Sequence, residues 1–117
     1  MADLEIINTT IHSGQTVSDP VGIGFKVVVG ITMPAAWTVA DLTFQVSPAG
    51  APFQSYFQAD PAFTVTPTAV KIVAPAANAF INVDSDLFSG VNLLKLVSSV
   101  AQAADRVIGL VVRTVSF

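Results

Sequence analysis

The chain has no cysteine, one histidine, one tryptophan, one tyrosine and five basic residues among its 117. Without cysteine there is no disulfide framework and no thiolate metal site. Such a composition fits folding in the cytosol. The five cations, Lys26, Lys71, Lys95, Arg106 and Arg113, are scattered, and the net charge is −3. A phosphate-binding footprint needs clustered cations, so nucleic acid is not expected as a partner. The negative balance argues equally against an anionic membrane surface. Met1-Ala2-Asp3-Leu4-Glu5 is acidic where a secretory signal would be basic, so no signal peptide is expected. The longest nearly apolar stretch, Val21 to Trp37, contains Lys26, three glycines and Pro34. It falls short of the ~20 residues that cross a bilayer and it alternates, so no membrane helix is expected.

Charge of either sign is also scarce. Only 11% of residues are charged and 52% are hydrophobic, whereas soluble domains carry roughly 25% charged residues. The surface is therefore built largely from Thr, Ser, Asn, Gln, Ala and Gly. Some apolar surface is expected to lie against a partner, because large exposed apolar patches mark contact sites. A compact neutral β domain that is merely poor in charge is the competing reading.

The pattern that is present has period two. Leu42, Phe44 and Val46 alternate with Thr43, Gln45 and Ser47. Ile23, Phe25, Val27, Val29 and Ile31 form one face, with Gly24, Lys26, Val28, Gly30 and Thr32 on the other. Half-buried strands place successive side chains on opposite faces. Further strands are predicted over Leu4–Ile11, Phe53–Phe57, Phe80–Val83 and Leu93–Val97. Phe63–Thr66 and Val70–Val73, separated by Pro67, suggest a hairpin. Val107–Val115 is apolar on both faces until Arg113 and is predicted to lie in the middle of a sheet. β-branched and aromatic residues dominate these segments.

Turn signals punctuate them at Ser13-Gly14, Ser18-Asp19-Pro20, Met33-Pro34, Ser47-Pro48-Ala49-Gly50, Asp60-Pro61 and Ala74-Pro75. Asp84 or Ser85 is placed to cap a short helical turn through Leu87 and Phe88 that ends at Gly90. Ser99–Ala104 reads as a loop with one turn. No repeat or linker divides the chain. Residues 1–117 are thus expected to form a single all-β domain, an antiparallel β-sandwich of about eight strands with at most one or two short helical turns.

Candidate chemistry is thin. His12 stands beside the Ser13-Gly14 turn, and no G-x-S-x-G elbow is present, so a surface loop histidine is the better reading. Asn82, Asp84 and Asp86 resemble the opening of a calcium loop. Leu87 replaces its sharp-turn glycine and Leu93 its bidentate glutamate, which favours capping and solvated loop acids instead. Gly22-Ile23-Gly24 lacks the third glycine of a dinucleotide fingerprint and lies in a strand pattern, consistent with close packing or a bulge. Asp105-Arg106 is expected to fix the loop before the last strand. Phe25 and Phe44 are core candidates, while Phe53, Tyr56 and Phe57 are too close together for all to point inward. Trp37, Tyr56 and the phenylalanines could alternatively line a glycan-binding face. No catalytic, cofactor-binding or metal residue is assigned, and an enzyme is not expected.

Several ordered segments add a resemblance. They are Thr10-Ile11-His12-Ser13-Gly14-Gln15-Thr16-Val17-Ser18, Gly30-Ile31-Thr32-Met33-Pro34, and Trp37-Thr38-Val39-Ala40-Asp41-Leu42-Thr43-Phe44-Gln45-Val46-Ser47. Phe53-Gln54-Ser55, Leu94-Lys95-Leu96-Val97-Ser98-Ser99 and Ala101-Gln102-Ala103-Ala104-Asp105-Arg106 follow. Together they are similar to small structural proteins of tailed-phage virions, of the capsid decoration or stabilising type. The likeness runs from about residue 9 to residue 113. Pro48-Ala49-Gly50 departs from the Asp-Gly turn of that pattern, and Ser98-Ser99-Val100 from its Ser-Gly-Thr. The resemblance implies a jelly-roll-like sandwich and a non-enzymatic virion protein, made in the host cytoplasm and acting as a homo-oligomer. Its implied partner is the major capsid protein or a neighbouring virion protein, bound by apolar burial. The first ten residues and Val115-Ser116-Phe117 are candidate arms for a neighbour's sheet edge. A carbohydrate-binding module, or one associated with the tail, neck or fibre, is the alternative.

Overall fold

The computed structural model describes residues 4–24, 26–48, 52–59, 62, 66–88 and 91–114. Among these residues ten strands run in the order β1 (Leu4–Ile11), β2 (Val21–Gly22), β3 (Lys26–Thr32), β4 (Leu42–Ser47), β5 (Gln54–Ser55), β6 (Phe57–Gln58), β7 (Thr68–Ala69), β8 (Phe80–Asn82), β9 (Leu93–Ser98) and β10 (Arg106–Thr114). Eight of them build two four-stranded sheets, β1-β10-β3-β8 and β2-β9-β4-β5, while β6 and β7 pair as a small ribbon. Every pairing is antiparallel. The pairs nest: β1 with β10, β2 with β9, β3 with β8 and β4 with β5. A long hairpin rolled so that alternate pairs fall in opposite sheets is a jelly roll. No described residue is in a helix, nor is any helix long and apolar enough to cross a membrane.

Period two explains most of the core. Leu42, Phe44 and Val46 face Ser98, Leu96 and Leu94 across β4 and β9, and all six are buried. In the other sheet Ile108, Leu110 and Val112 of β10 point inward with Ile11, Val28 and Ile31. Phe88 closes one end, its ring 5.0 Å from Phe44 and nearly perpendicular to it. The central position predicted for Val107–Val115 holds for the described part, since β10 lies between β1 and β3.

Strand β3 departs from the expected alternation. The register with β10 slips between Val111 and Val112, so Gly30 opposes Val111 but Val28 opposes Val112. The extra residue on β3 is a bulge, and a bulge reverses parity beyond it. Val28 and Ile31, three apart, therefore both reach the core, whereas Val27 lies outside the core cluster. Phe25, expected in the core, lies outside the described residues, as do Phe63–Val65 of the expected hairpin. Among the described residues, Thr68–Ala69 pairs with Phe57–Gln58, and Ile72 forms an isolated bridge to Leu42. The expected turn after Asp84 is present as turn residues 85–88, with the Leu87 amide bonded to Asp84 O; Gly90, its expected end, lies outside the described residues.

Polar groups fasten the loops at one end. Gln102 is buried, and its amide makes four hydrogen bonds. Its Nε2 donates to Thr38 O at 3.1 Å and Ser98 Oγ at 2.9 Å. Its Oε1 accepts from Thr38 N at 3.0 Å and Arg106 Nε at 3.3 Å. This accounts for both donors and two acceptor sites of the amide. Asp105 and Arg106 fix this loop as expected, but not by pairing with each other: Asp105 Oδ1 accepts the Ser13 amide at 2.7 Å, while Arg106 reaches Gln102 and Thr38. Gln102→Leu strands the buried Ser98 hydroxyl together with half-buried groups of Thr38 and Arg106, and a buried group left unpaired costs about 1–3 kcal/mol. The expected loss in urea denaturation is about 2–4 kcal/mol; a loss below about 1 kcal/mol would show that the clamp is dispensable.

Candidate contact surface

The outer face of the β1-β10-β3-β8 sheet follows from strand parity. Where the inward residues of β10 are 108, 110 and 112, the outward ones are Val107, Gly109, Val111 and Arg113. The register adds their neighbours in rows: Thr10 beside Val107, Asn8 and Thr32 beside Gly109, Ile6 and Gly30 beside Val111, Leu4 and Val27 beside Arg113. Phe80 and Asn82 of β8 complete the rows of Thr32 and Gly30. Leu4, Ile6, Phe80 and Val107 remain 63%, 58%, 59% and 50% exposed. Among the described residues Arg113 is the single charged one on this face.

Two glycines keep the face flat. A methyl group at Gly30 would overlap the Phe80 ring, which lies across the strand there. One at Gly109 would overlap Thr32 Oγ1 and lie 2.9 Å from Ile6 Cγ2. Thr32, Ile6 and Phe80 thus lean over bare backbone and lie low. The outer face of the second sheet is more polar, carrying Thr43, Gln45 and Lys95, with the Lys95 ammonium 4.3 Å from the centre of the Phe53 ring.

The two lateral sides of the sandwich differ. On the β1 side, residues 17–19 step between the sheets. Val17 bridges Val97, Ser18 N and Oγ bond Leu96, and Asp19 N and O bond Thr10 and Thr9. On the β8 side a pocket of about 160 Å³ opens between Ile81–Val83 and Val70–Ile72. Phe44, Phe88 and Leu87 add apolar wall, and the exposed Lys71 and Asp84 also line it. Behind it, Tyr56 packs on Phe88 with ring centres 5.6 Å apart, and its hydroxyl donates to Leu87 O.

The residues singled out from sequence do not converge. His12 Nε2 lies 3.0 Å from Asp19 Oδ2 on the surface, and the Ser13 hydroxyl donates to Ala103 O rather than to the imidazole. Asp84 Oδ1 accepts the Asp86 amide, as a capping carboxylate does, and Asn82 lies on β8. Among the described residues no three His, Cys, Asp or Glu side chains are placed to hold a metal ion. Gly22 ends β2, where an added Cβ would make only ordinary contact with Leu93, and Gly24 adopts a positive φ of 50° in the turn to β3, so a turn stands where close packing or a bulge was expected. Trp37 is buried with its indole N–H directed to Ala40 O, so it lines no glycan face. Of the candidate arms, residues 4–11 form β1, paired with β10 along its whole length, and are not free. Residues 1–3 and 115–117, including Phe117, lie outside the described residues.

No protein-family model matches the chain, and no curated protein matches it by sequence. Among solved structures, the SPBc2 prophage-derived protein YomS shares its fold, with a TM-score of 0.55 at 10% identity, over 97% of this chain and 96% of that one. At that identity the likeness is one of architecture.

Burial raises the Tyr56 phenol above its ordinary value of 10.0. The unfolded chain then releases this proton at a lower pH than the folded one. The contribution to stability is constant below the unfolded value and declines as pH rises through it toward the folded value. As the chain has a single tyrosine, tyrosinate absorbance reports this group alone. The midpoint should lie above 10.0 in the folded protein, and Tyr56→Phe should remove this part of the alkaline loss of stability. A native midpoint equal to that in denaturant would contradict the burial of the phenol.

Proposed function

We propose that this chain is a non-enzymatic structural protein of a bacteriophage particle, a capsid decoration protein that stabilises the head through protein–protein contacts. The observation that carries the reading is the flat, nearly uncharged outer face of the β1-β10-β3-β8 sheet, with four large apolar side chains at least half exposed. Patches of this kind mark contact sites. The sequence resemblance to tailed-phage virion proteins and the jelly roll shared with a prophage-derived protein support the phage setting. The scattered placement of His12, Asp84 and Asp105 supports a role without catalysis, since reactive groups must converge on a common point.

Magnitudes shape the proposal further. Complete burial of one such side chain is worth about 1.5–3 kcal/mol, so covering the exposed half of four yields roughly 4 kcal/mol. Association costs on the order of 4–15 kcal/mol. The face by itself at best breaks even. Occupancy therefore depends on additional contacts, or on several linked copies binding a repeating lattice, where a shared tether raises the effective concentration. A homo-oligomer on the regular surface of a capsid meets that condition.

The experiment is co-sedimentation with particles that lack the protein. The wild-type chain should bind saturably and raise the temperature at which heated particles release their DNA. Ile6→Lys with Phe80→Glu, at exposed positions, should abolish binding while the isolated domain stays within about 1 kcal/mol of wild-type stability. Undiminished binding of the double variant would remove this face from the account, and absence of any particle binding would remove the decoration role.

A further inference from the structure

The contact-protein reading leaves the β8 side of the sandwich unused, and that side is built differently from its opposite. Met33 N bonds Ala79 O, and Val83 N bonds Val29 O. These bonds place residues 79, 81 and 83 as the ones whose backbone groups turn toward β3. The N–H and C=O groups of Phe80 and Asn82 consequently point the other way, to the open edge of the sheet. Among the described residues no strand lies beyond β8 in its sheet, and both residues are exposed.

A strand added there would hydrogen-bond to Phe80 and Asn82. Its residue opposite Ile81 would form the intervening non-hydrogen-bonded pair. Directly paired residues share a face of the sheet. Ile81 points inward and packs against the core, so the incoming residue would point inward as well, toward the pocket that Ile81 and Val83 line. The pocket's volume of about 160 Å³ is close to that of an apolar cavity that accepts a benzene ring, on the order of 150 Å³.

We propose that the open edge of β8 and the pocket beside it form a receptor for an extended segment of a partner protein, in which a phenylalanine opposite Ile81 inserts between the two sheets. The proposal rests on the contact-protein reading and names the chemistry of the partner. Area supports a protein as the occupant. Four strands at spacings of about 4.8 Å and about 20 Å long present a face on the order of 400 Å². A specific interface buries about 800 Å² on each partner. The outer face is thus about half of what is needed. It is continuous with the β8 edge through Phe80, whose side chain lies on that face while its backbone forms the edge. A partner that covers the face and adds a strand gains the missing area, together with main-chain hydrogen bonds and one anchored side chain. On the β1 side, residues 17–19 already bond Thr10 O, the Thr9 hydroxyl and Leu96, so the Thr9–Thr10 end of that edge is occupied.

The test titrates the full chain with the acetylated, amidated peptide Lys-Thr-Ser-Phe-Ser-Thr-Lys, followed by amide and methyl NMR. Saturable shifts are expected at the Phe80 and Asn82 amides and at the methyl groups of Val70, Ile72, Ile81 and Val83. Replacing the peptide phenylalanine with alanine, or N-methylating its two serines, should each weaken binding at least about tenfold, roughly one decade of affinity. On the protein, Val70→Phe fills the pocket. Asn82→Pro deletes an outward N–H at an edge position where proline is tolerated, which keeps the test decisive should Val70→Phe fail to fold. Either folded variant should lose the titration. Absence of saturable shifts at millimolar peptide, or equal binding of all three peptides, overturns the proposal. The outer face is read separately: Ile6→Lys should weaken particle binding and leave the peptide titration intact. Full particle binding by Asn82→Pro, with no peptide binding to wild type, would end the strand-receptor inference while leaving the contact reading standing.

Discussion

The two-sided hydrophobicity of β10 is the constraint from which the rest of the structure follows. Ile108, Leu110 and Val112 are fully buried between the sheets, and the register requires Val107 and Val111 to face away from them. A strand apolar on both faces belongs where both faces are covered. The jelly roll covers one. On the other side the chain brings more apolar residues alongside, Ile6 and Leu4 from β1 and Phe80 from β8, and among the described residues no further layer lies over them. The uncovered side of the central strand is the point at which the economics of folding pass over into those of assembly.

A face of this kind needs a rigid sheet beneath it, and the polar interactions lie where they supply one. The Gln102 clamp draws the loops around Gly14, Thr38 and Arg106 together at one end. Asp41 acts similarly nearby: its amide donates to Ser99 Oγ and its carboxylate accepts the Ala74 amide. With so few charged residues in the chain, exposed ion pairs such as Lys26–Glu5 contribute little, typically ~0–1 kcal/mol. Rigidity instead comes from buried amides and hydroxyls whose hydrogen-bonding capacity is met; no buried side-chain nitrogen or oxygen among the described residues lacks a partner.

Much of this architecture is legible in the amino-acid order. The alternation in Leu42–Ser47 gives β4 its length and its buried face, and the continuous run after Arg106 marks a central strand. Strand β3 resists the same treatment because Val27, Val28 and Val29 are consecutive. Identical side chains carry no information about which one faces inward, and the bulge that decides it is a property of pairing with β10. The contact face is harder still to read. Hydropathy reveals that Ile6 and Phe80 are apolar but not whether another layer covers them, so residues 4–10, legible as a strand, read also as a candidate arm, whereas they are an edge strand paired with β10. The pocket has no local signature, since residues 70–72 and 81–83 come from different layers and meet only when the sandwich closes.

Hydrogen–deuterium exchange of the full chain, free and bound to particles, tests the central claim most directly. The account predicts added protection within residues 4–10, 80–82 and 107–113, the segments that present the outer face of the β1-β10-β3-β8 sheet. Protection confined to β4 and β9, or a bound chain whose exchange matches that of the free one, would contradict it.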